Sequence, residues 1–193
     1  MTIQQIIHLR EAEDKVEFKE AKTQYTYNKE RRSVLGYVVA LANELGGKLI
    51  FGIKENKMLP HTVVGSSAWE GNEKALEEDI YRDLKIRVYT EVLYENQKRV
   101  LVIHIPSRPI GRTLKFEDVP LMRVGEQLLP MSDEHLLKIL QEQEPDFSAK
   151  ICEGLSIDDL DEVAIALMKK GYAQKQRNPI FEQLSIQQAL SDL

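Results

Sequence analysis

Two stretches decide the fold of this chain: VEFK at residues 16–19 and ALANELGGKLIFGI at residues 40–53. The first predicts a short strand, and the second predicts the end of a helix, a tight glycine turn and a buried strand. Asn28 is a suitable N-cap for that helix, and Gly46 is expected to end it because glycine takes the left-handed conformation of a C-cap. Apolar residues at helical spacing predict one buried face of the helix. They are Val34, Leu35, Val38, Leu41, Ala42 and Leu45.

Further elements are predicted on both sides of this unit. The expected helices lie at 72–85, 133–143 and 157–172, with a short apolar helix or arm at 3–9, and the expected strands lie at 61–64, 87–94, 99–105, 113–116 and 121–124. Ser132 and Ser156 are expected to cap the last two helices. This order predicts an α+β fold, a mixed sheet with helices mainly on one face, followed by a small helical C-terminal extension. We expect a domain at 1–144, and at 145–193 a helical linker that begins a further C-terminal domain.

Composition limits the class of protein. The 193 residues are 42% hydrophobic, which is enough for a core. No apolar stretch approaches the roughly 20 residues of a membrane span, and the start of the chain lacks the pattern of a secretory signal. The single cysteine, Cys152, excludes an internal disulfide and is most simply a small buried hydrophobic residue. We therefore expect a cytoplasmic protein without a membrane partner.

The net charge of −5 is unevenly distributed along the chain. Residues 1–131 hold 20 Lys and Arg against 19 Asp and Glu, whereas residues 132–162 hold 2 against 10. The acidity is thus local to one segment, and the first two-thirds of the chain is nearly neutral with basic clusters available to phosphates. A neutral domain is still a weak electrostatic case for tight binding to nucleic acid.

Several common sites are excluded by their missing motifs. The sequence has neither G-x-x-x-x-G-K-[ST] nor G-x-G-x-x-G, so the usual nucleotide loops are absent. The four histidines stand far apart and lack zinc spacing. No serine lies in a G-x-S-x-G context.

Acidic residues around the first strand form the enzyme-like group. Glu11, Glu13, Asp14 and Glu17 lie close in sequence, and Glu13 and Glu17 share one face of an extended strand. Two such carboxylates, with a third from elsewhere, could hold Mg²⁺ or Mn²⁺ and position a water for phosphodiester cleavage. The alternative interpretation is a solvated charged loop.

Basic residues fall into two groups. The first group surrounds the start of the first long helix and consists of Lys19, Lys22, Lys29, Arg31 and Arg32. The second group lies on loops and short strands and consists of Arg108, Arg112, Lys115 and Arg123. Tyr25 and Tyr27 interleave with the first group and could stack on bases. Guanidinium groups on an exposed loop suit backbone phosphates, although scattered surface Lys and Arg often serve solvation alone.

The order and spacing of these motifs resemble the Schlafen-type AlbA-like domain over about residues 10–140. The elements that carry the resemblance are Val16–Lys19, the helix end at 42–47, the strand at 49–53, Val64-Gly65 and the stretch 120–125. Met122 stands where that family has an aromatic residue before its arginine. The resemblance implies a nucleic-acid-binding domain, the N-terminal part of a bacterial transcriptional regulator, and pairing into a homodimer.

Some Schlafen proteins cleave RNA with three acids on this fold, and the resemblance extends partly to these. Glu17 matches the second acid. The first position is Ala12, with Glu11 and Glu13 on either side, and the third is Lys54, with Glu55 next. A lysine at the position of a metal ligand opposes cation binding by charge repulsion.

Three hypotheses follow. The first is a non-enzymatic domain without a cofactor that binds DNA or RNA, with DNA favoured. Its predicted contacts are Lys19, Lys22, Tyr25, Tyr27, Arg31, Arg32, Arg108, Arg112 and Lys115. The second is a metal-dependent endoribonuclease that uses Glu13, Glu17 and Glu55 with Mg²⁺ or Mn²⁺. The third is an interaction module in which the acidic segment 132–162 and the helices after it dock a partner.

Overall fold

The computed structural model describes residues 1–11, 13–125, 127–143, 154 and 156–191. They divide into two compact units, Met1–Glu144 and Pro145–Leu193. The helices of the first unit are α1 (Ile3–Ile6), α2 (Val34–Asn43), α3 (Glu73–Leu84) and α4 (Asp133–Leu140). Its strands are β1 (Val16–Lys19), β2 (Gly47–Phe51), β3 (Ile53–Lys54), β4 (Thr62–Val63), β5 (Tyr89–Glu95), β6 (Lys98–Ile105), β7 (Leu121–Val124) and β8 (Gln127–Pro130). Every helix among the described residues is too short or too polar to cross a membrane.

A mixed four-stranded sheet organises the first unit. Its strand order is β1-β2-β6-β5, in which β1 and β2 are parallel and the other pairs are antiparallel. Helix α2 connects the two parallel strands, and two small antiparallel sheets, β3-β4 and β7-β8, flank the main one. The predicted α+β class with a mixed sheet is therefore confirmed.

The two faces of the sheet carry separate apolar clusters. On one face, α2 and α3 pack on Leu101, Ile103 and Ile105 of β6, and all residues of α2 are buried. On the other face, α1 packs on the residues of β6 that point the opposite way, Val100 and Val102. Successive side chains of β6 point to opposite faces of the sheet. One face is therefore covered by α2 and α3 and the other by the short α1, so the helices lie mainly on one face as predicted.

The first long helix starts later than the predicted N-cap, Asn28. Ser33 caps α2 instead, and its hydroxyl accepts a hydrogen bond from the amide of Gly36 at 3.3 Å. The amides of Val34 and Leu35 donate to the carbonyl oxygens of Thr26 and Tyr27, both at 3.0 Å. These loop carbonyls satisfy donors that a helix leaves free at its N-terminus, so the segment from 20 to 33 forms a loop folded back on α2.

Two predicted strands differ in the structure. The strand predicted to run through residue 53 divides at Gly52, whose φ is +94°, so the residues after it join the sheet of β3 and β4. The strand predicted at 113–116 is reduced to one bridge between Phe116 and Val119. The Asn43 side chain explains this, because it accepts from the amide of Leu114 at 2.8 Å and donates to its carbonyl at 3.0 Å.

The second unit is a small helical cluster. It contains 3₁₀ helices at Ile157–Asp159 and Pro179–Gln183 and α-helices α5 (Glu162–Gln176) and α6 (Ile186–Ser191). The helix predicted at 157–172 is present as α5, but its predicted start at 157 and its predicted cap, Ser156, were wrong, because Asp161 caps α5 by accepting from the amide of Ala164 at 2.9 Å. A core of Ala173, Phe181 and Ala189 closes this unit. Cys152 and Ala12 lie outside the described residues.

Candidate nucleic-acid interface and the neighbouring acidic cleft

The segment 20–33, hereafter the β1–α2 loop, carries most of the first basic group. It leaves the sheet at the carboxyl end of β1 and covers the start of α2. The side chains of Lys22, Lys29, Arg31 and Arg32 are exposed. Lys22 is 67% exposed, and its Nζ lies 3.9 Å from the carboxylate of Glu20. Such an exposed pair contributes little energy, so Lys22 is accessible to a phosphate.

The two tyrosines of this loop are half-buried and fixed at both ends. Tyr25 packs on Phe51 with ring centroids 5.4 Å apart, and its hydroxyl donates to the carbonyl of Arg32 at 3.1 Å. The hydroxyl of Tyr27 donates to Asp83 Oδ2 at 2.8 Å. Burial raises the pKa of both phenols above the ordinary range, so both rings stay neutral at physiological pH. Neutral, positioned rings are suited to stacking on bases.

Two of the predicted phosphate contacts are bonded inside the protein. Lys19 Nζ lies 2.5 Å from Glu17 Oε1 and 4.4 Å from the centroid of the Tyr37 ring. Arg108 is 3% exposed, and its two terminal nitrogens donate to the two oxygens of Glu142, each at 2.6 Å. Both cations already have a carboxylate partner, so a phosphate would have to compete for them.

The second basic group lies at the opposite end of α2 from the first. The Arg108 amide donates to the carbonyl of Ala42 at 3.0 Å, near the last turn of the helix. Arg112 and Lys115 follow on the same loop and are exposed. Because α2 has 10 residues, the two groups are separated by about 15 Å along its axis. The structure therefore does not merge them into one patch.

An acidic cleft of about 410 Å³ lies beside the edge strand β1, lined by Glu11, Glu44, Glu55, Arg123 and Gly125. Arg123 is the cation among these lining residues, and its Nη2 lies 2.9 Å from Glu44 Oε2. It also donates to the carbonyl of Val16 at 2.7 Å. Arg123, which the sequence placed with the second basic group, thus serves as the counter-ion of the acidic cleft.

The structure brings Glu11, rather than Glu13, into this cleft. Glu13 is 70% exposed and lies 3.5 Å from Arg10 on the surface. Burial, together with the nearby charges of Glu17 and Glu55, raises the pKa of Glu11 to about 7, against a hydrogen bond from the Phe18 amide that lowers it. Glu11 and Glu13 are two positions apart and would share a face of a continuous strand, but a turn precedes β1 and breaks the alternation that the strand pattern assumed.

As arranged, these acids do not fit the divalent ion of the endoribonuclease hypothesis. Glu17 is 5% exposed, and its oxygens face Lys19 Nζ at 2.5 Å and Arg123 Nη1 at 3.5 Å. Two cationic side chains thus occupy the place of a metal ion. Across the described ranges, no three His, Cys, Asp or Glu side chains are arranged to hold a metal.

Trp69 is a member of the interface that the sequence did not indicate. It packs on Phe51 with ring centroids 5.5 Å apart. Together with Tyr25 and Tyr27 it also lines a second cleft, which is separate from the acidic cleft. Trp69 is distant in the chain from the β1–α2 loop, and only the tertiary fold brings it there. The sequence offered one indication of this role, namely that Trp69 is an aromatic residue on a connecting loop.

Comparison with known proteins places the fold. The solved structure of the DIP2311 protein from Corynebacterium diphtheriae has a TM-score of 0.50 and 18% identity, and the match covers 90% of this chain and 35% of that one. This chain therefore spans about a third of DIP2311, and the likeness shows a shared fold.

A second solved structure is the N-terminal domain of a RecG-related protein from Nitrosomonas europaea. It has a TM-score of 0.38 and 19% identity, and the match covers 60% of this chain and 82% of that one. Comparison with curated proteins gives no match. The model of the family described as Schlafen, AlbA_2 matches residues 13–132, which is more than half of the chain. The resemblance seen in the motifs is thereby confirmed, and the chain belongs to the Schlafen AlbA_2 family.

Proposed function

We propose that the first unit is a non-enzymatic nucleic-acid-binding domain of a bacterial transcriptional regulator, with DNA as the favoured polymer. The observation that carries the proposal is the β1–α2 loop, which exposes four basic side chains around two half-buried, neutral tyrosines. Cations that reach phosphates and rings that reach bases are the two components of sequence-tolerant nucleic-acid binding. Pairing into homodimers, a cytoplasmic location and a further C-terminal domain are parts of the same proposal.

The exposed cations determine how the binding should behave. Lys22, Lys29 and Arg31 are the primary phosphate contacts, and Arg112 and Lys115 extend the contact beyond the other end of α2. Each phosphate neutralised on duplex DNA contributes about −0.9 to the slope of log K against log salt concentration. Since residues 1–131 carry a net charge of only +1, we expect modest affinity that declines steeply with salt.

The acidic cleft supports the non-enzymatic part of the proposal. The carboxylate of Glu17 is paired with Lys19 and Arg123. Both oxygens of this carboxylate face cations, so a divalent ion would have to compete with them for its charge. The cleft acts instead as an ion-pair network that ties β1 to β7.

Fluorescence anisotropy tests the proposal directly. The full chain is titrated into labelled duplex DNA, single-stranded DNA and a structured RNA at a low and a high salt concentration. We expect binding to at least one polymer that weakens with salt. Binding that is absent, or that ignores salt, would overturn the proposal.

Charge reversal assigns the binding to the β1–α2 loop. Arg31→Glu and Lys22→Glu should each weaken binding and flatten its salt dependence. Lys57→Glu is the matched control, because Lys57 is exposed on the loop whose His61 packs against Phe18, in the layer on the other side of the sheet. Equal effects of all three substitutions would show that the loss of binding follows the net charge of the protein and not the position of the substituted residue.

The same samples test the endoribonuclease alternative. Mn²⁺ is added, and the RNA is examined on a gel. We expect intact RNA. Cleavage that disappears in Glu17→Gln would contradict the non-enzymatic proposal and make the acidic cleft an active site.

A further inference from the structure

A cleft of about 260 Å³ separates the β1–α2 loop from the loop after β4. Tyr25, Tyr27 and Trp69 line it, together with Thr23, Gln24 and Ala68. Phe51 lies beneath, fully buried, and supports both Tyr25 and Trp69 through the ring contacts described above. The cleft therefore has aromatic walls on two chain segments and an aromatic base.

Hydrogen bonds between the two segments hold the walls in place. Ser66 Oγ donates to the carbonyl of Ala21 at 2.5 Å, and the amide of Ser67 donates to the carbonyl of Lys22 at 2.9 Å. Arg99, which is buried, donates to the carbonyls of Ser66 and Ala68 at 2.9 and 3.1 Å. The cleft is thus formed before any ligand arrives, which lowers the ordering cost of binding.

We propose that this cleft receives one unpaired base of a single-stranded nucleic acid. The inference rests on the proposed function and specifies its ligand. The volume is below the roughly 300–1,000 Å³ of sites for drug-sized ligands, so it suits a single ring system. Walls of this kind reach the face of a base, and a duplex covers that face by stacking.

The rim of the cleft matches the other parts of a nucleotide. Gln24 is exposed at the rim, and its amide offers both a donor and an acceptor to a base edge. A second cleft of about 320 Å³ shares Gln24, Tyr25 and Tyr27 and continues to Lys29. Lys22 lies before this run and Arg31 after it, so the strand backbone has cations along its path.

Trp69 makes the proposal measurable, because it is the single tryptophan of the chain. Its intrinsic fluorescence reports on this cleft alone. The full chain is titrated with oligothymidylate, with an abasic strand of equal length, with duplex DNA and with thymidine monophosphate. Anisotropy of labelled versions of the strands measures total binding in parallel.

We expect oligothymidylate to quench Trp69 and to bind more tightly than the abasic strand. Base stacking on aromatic side chains contributes about 1–3 kcal/mol per base, so the difference should lie between about 5-fold and 150-fold. Tyr27→Leu should reduce this difference strongly, and Tyr27→Phe should reduce it less, because the ring remains although it no longer donates to Asp83. Tyr94→Leu is the matched control, since Tyr94 is 66% exposed on β5, outside the cleft.

The contrary outcomes are distinct. Equal binding of abasic and base-bearing strands without quenching would overturn the unpaired-base inference and leave the proposed function intact. Quenching by thymidine monophosphate as strong as by the oligonucleotide would identify a free-nucleotide site instead. Binding to no polymer would remove the proposed function as well. The comparison between the abasic and the base-bearing strand uses the wild-type protein alone, so a variant that misfolds does not affect it.

Discussion

Gly36 marks the point where the β1–α2 loop presses against the helix that follows it. A Cβ atom at this position would lie 1.8 Å from the carbonyl oxygen of Arg31. The atoms that occupy this space belong to the Arg31 backbone and not to a flexible side chain. They can make room for a Cβ atom only if the loop itself moves. The position of the basic loop therefore depends on the absence of one methyl group.

Gly36→Ala should destabilise the protein by about 1–3 kcal/mol, the usual cost of overpacking, and should also weaken nucleic-acid binding by moving Arg31. Thermal unfolding and anisotropy measure the two effects. Gly171→Ala is the control, because a Cβ there meets no atom within 4 Å and alanine favours the helix by up to about 1 kcal/mol. Unchanged stability of Gly36→Ala would show that the loop is not seated on α2.

Glu11 makes stability depend on pH. Its pKa rises from the ordinary 4.5 to about 7 on folding, so the folded state binds the proton more tightly than the unfolded state does. The resulting stabilisation is fully present below about pH 4.5 and is lost as the pH rises through about 7. Glu11→Gln keeps an acceptor for the Phe18 amide and removes the charge.

Urea unfolding of Glu11→Gln should therefore show a smaller loss of stability from pH 5 to pH 8 than the wild type. Glu13→Gln, at an exposed site, should follow the wild type. Parallel pH profiles for the wild type and Glu11→Gln would contradict the burial of Glu11.

Two elements are joined by the pair of Arg108 and Glu142, which ties the loop after β6 to the end of α4. Hydrogen bonds from Arg108 lower the pKa of Glu142. Stability from a lowered carboxyl pKa is present above the ordinary pKa and is lost as the pH falls through the folded value. Removing the carboxylate leaves the Arg108 guanidinium nearly buried without a counter-charge.

Glu142→Gln should lower the melting temperature at neutral pH, and its difference from the wild type should shrink in strong acid, where Glu142 is protonated. Differential scanning fluorimetry across pH measures this. Glu134→Gln, on α4, is the control, because Glu134 pairs with Lys138 at the surface and such pairs contribute little. A difference that persists in acid would indicate a steric cause.

At the level of elements, the sequence predicted those that depend on local pattern. β1 and β7 have the predicted limits, because alternation and apolar content define them. The start of α2 was missed because the carbonyls that satisfy its first amides belong to the loop before it. The strand predicted at 113–116 was wrong because a side chain from α2, Asn43, takes the hydrogen bonds of Leu114.

The candidate site follows the same division. The exposed cations and the tyrosines of the β1–α2 loop are contiguous in sequence, so a linear pattern was enough to propose them as candidates. Trp69 and Glu11 enter their clefts through tertiary packing, and the pairing of Arg108 with Glu142 depends on where α4 ends. No spacing rule connects those partners.

At the scale of the whole molecule, each unit has its own apolar packing among the described residues: a cluster on each face of the sheet in the first unit, and the cluster around Phe181 in the second. A chain that ends at residue 143 retains the entire sheet, both of its layers and the β1–α2 loop. We expect it to unfold cooperatively and to bind nucleic acid as tightly as the full chain, by circular dichroism and anisotropy. Binding that is lost despite intact folding would assign part of the nucleic-acid binding to the residues after 143.

The complete burial of α2 has a consequence for how this protein can diversify. Each of its residues contacts the interior, so a substitution there alters the fold before it alters recognition. The loop before α2 bears exposed side chains at 22–24 and 28–32, where substitutions change the stability of the fold little. A library randomised at those positions should keep the scaffold and yield variants with new ligand preferences. The residues that determine the fold and the residues that are free to change ligand specificity thus lie in adjacent stretches of the chain.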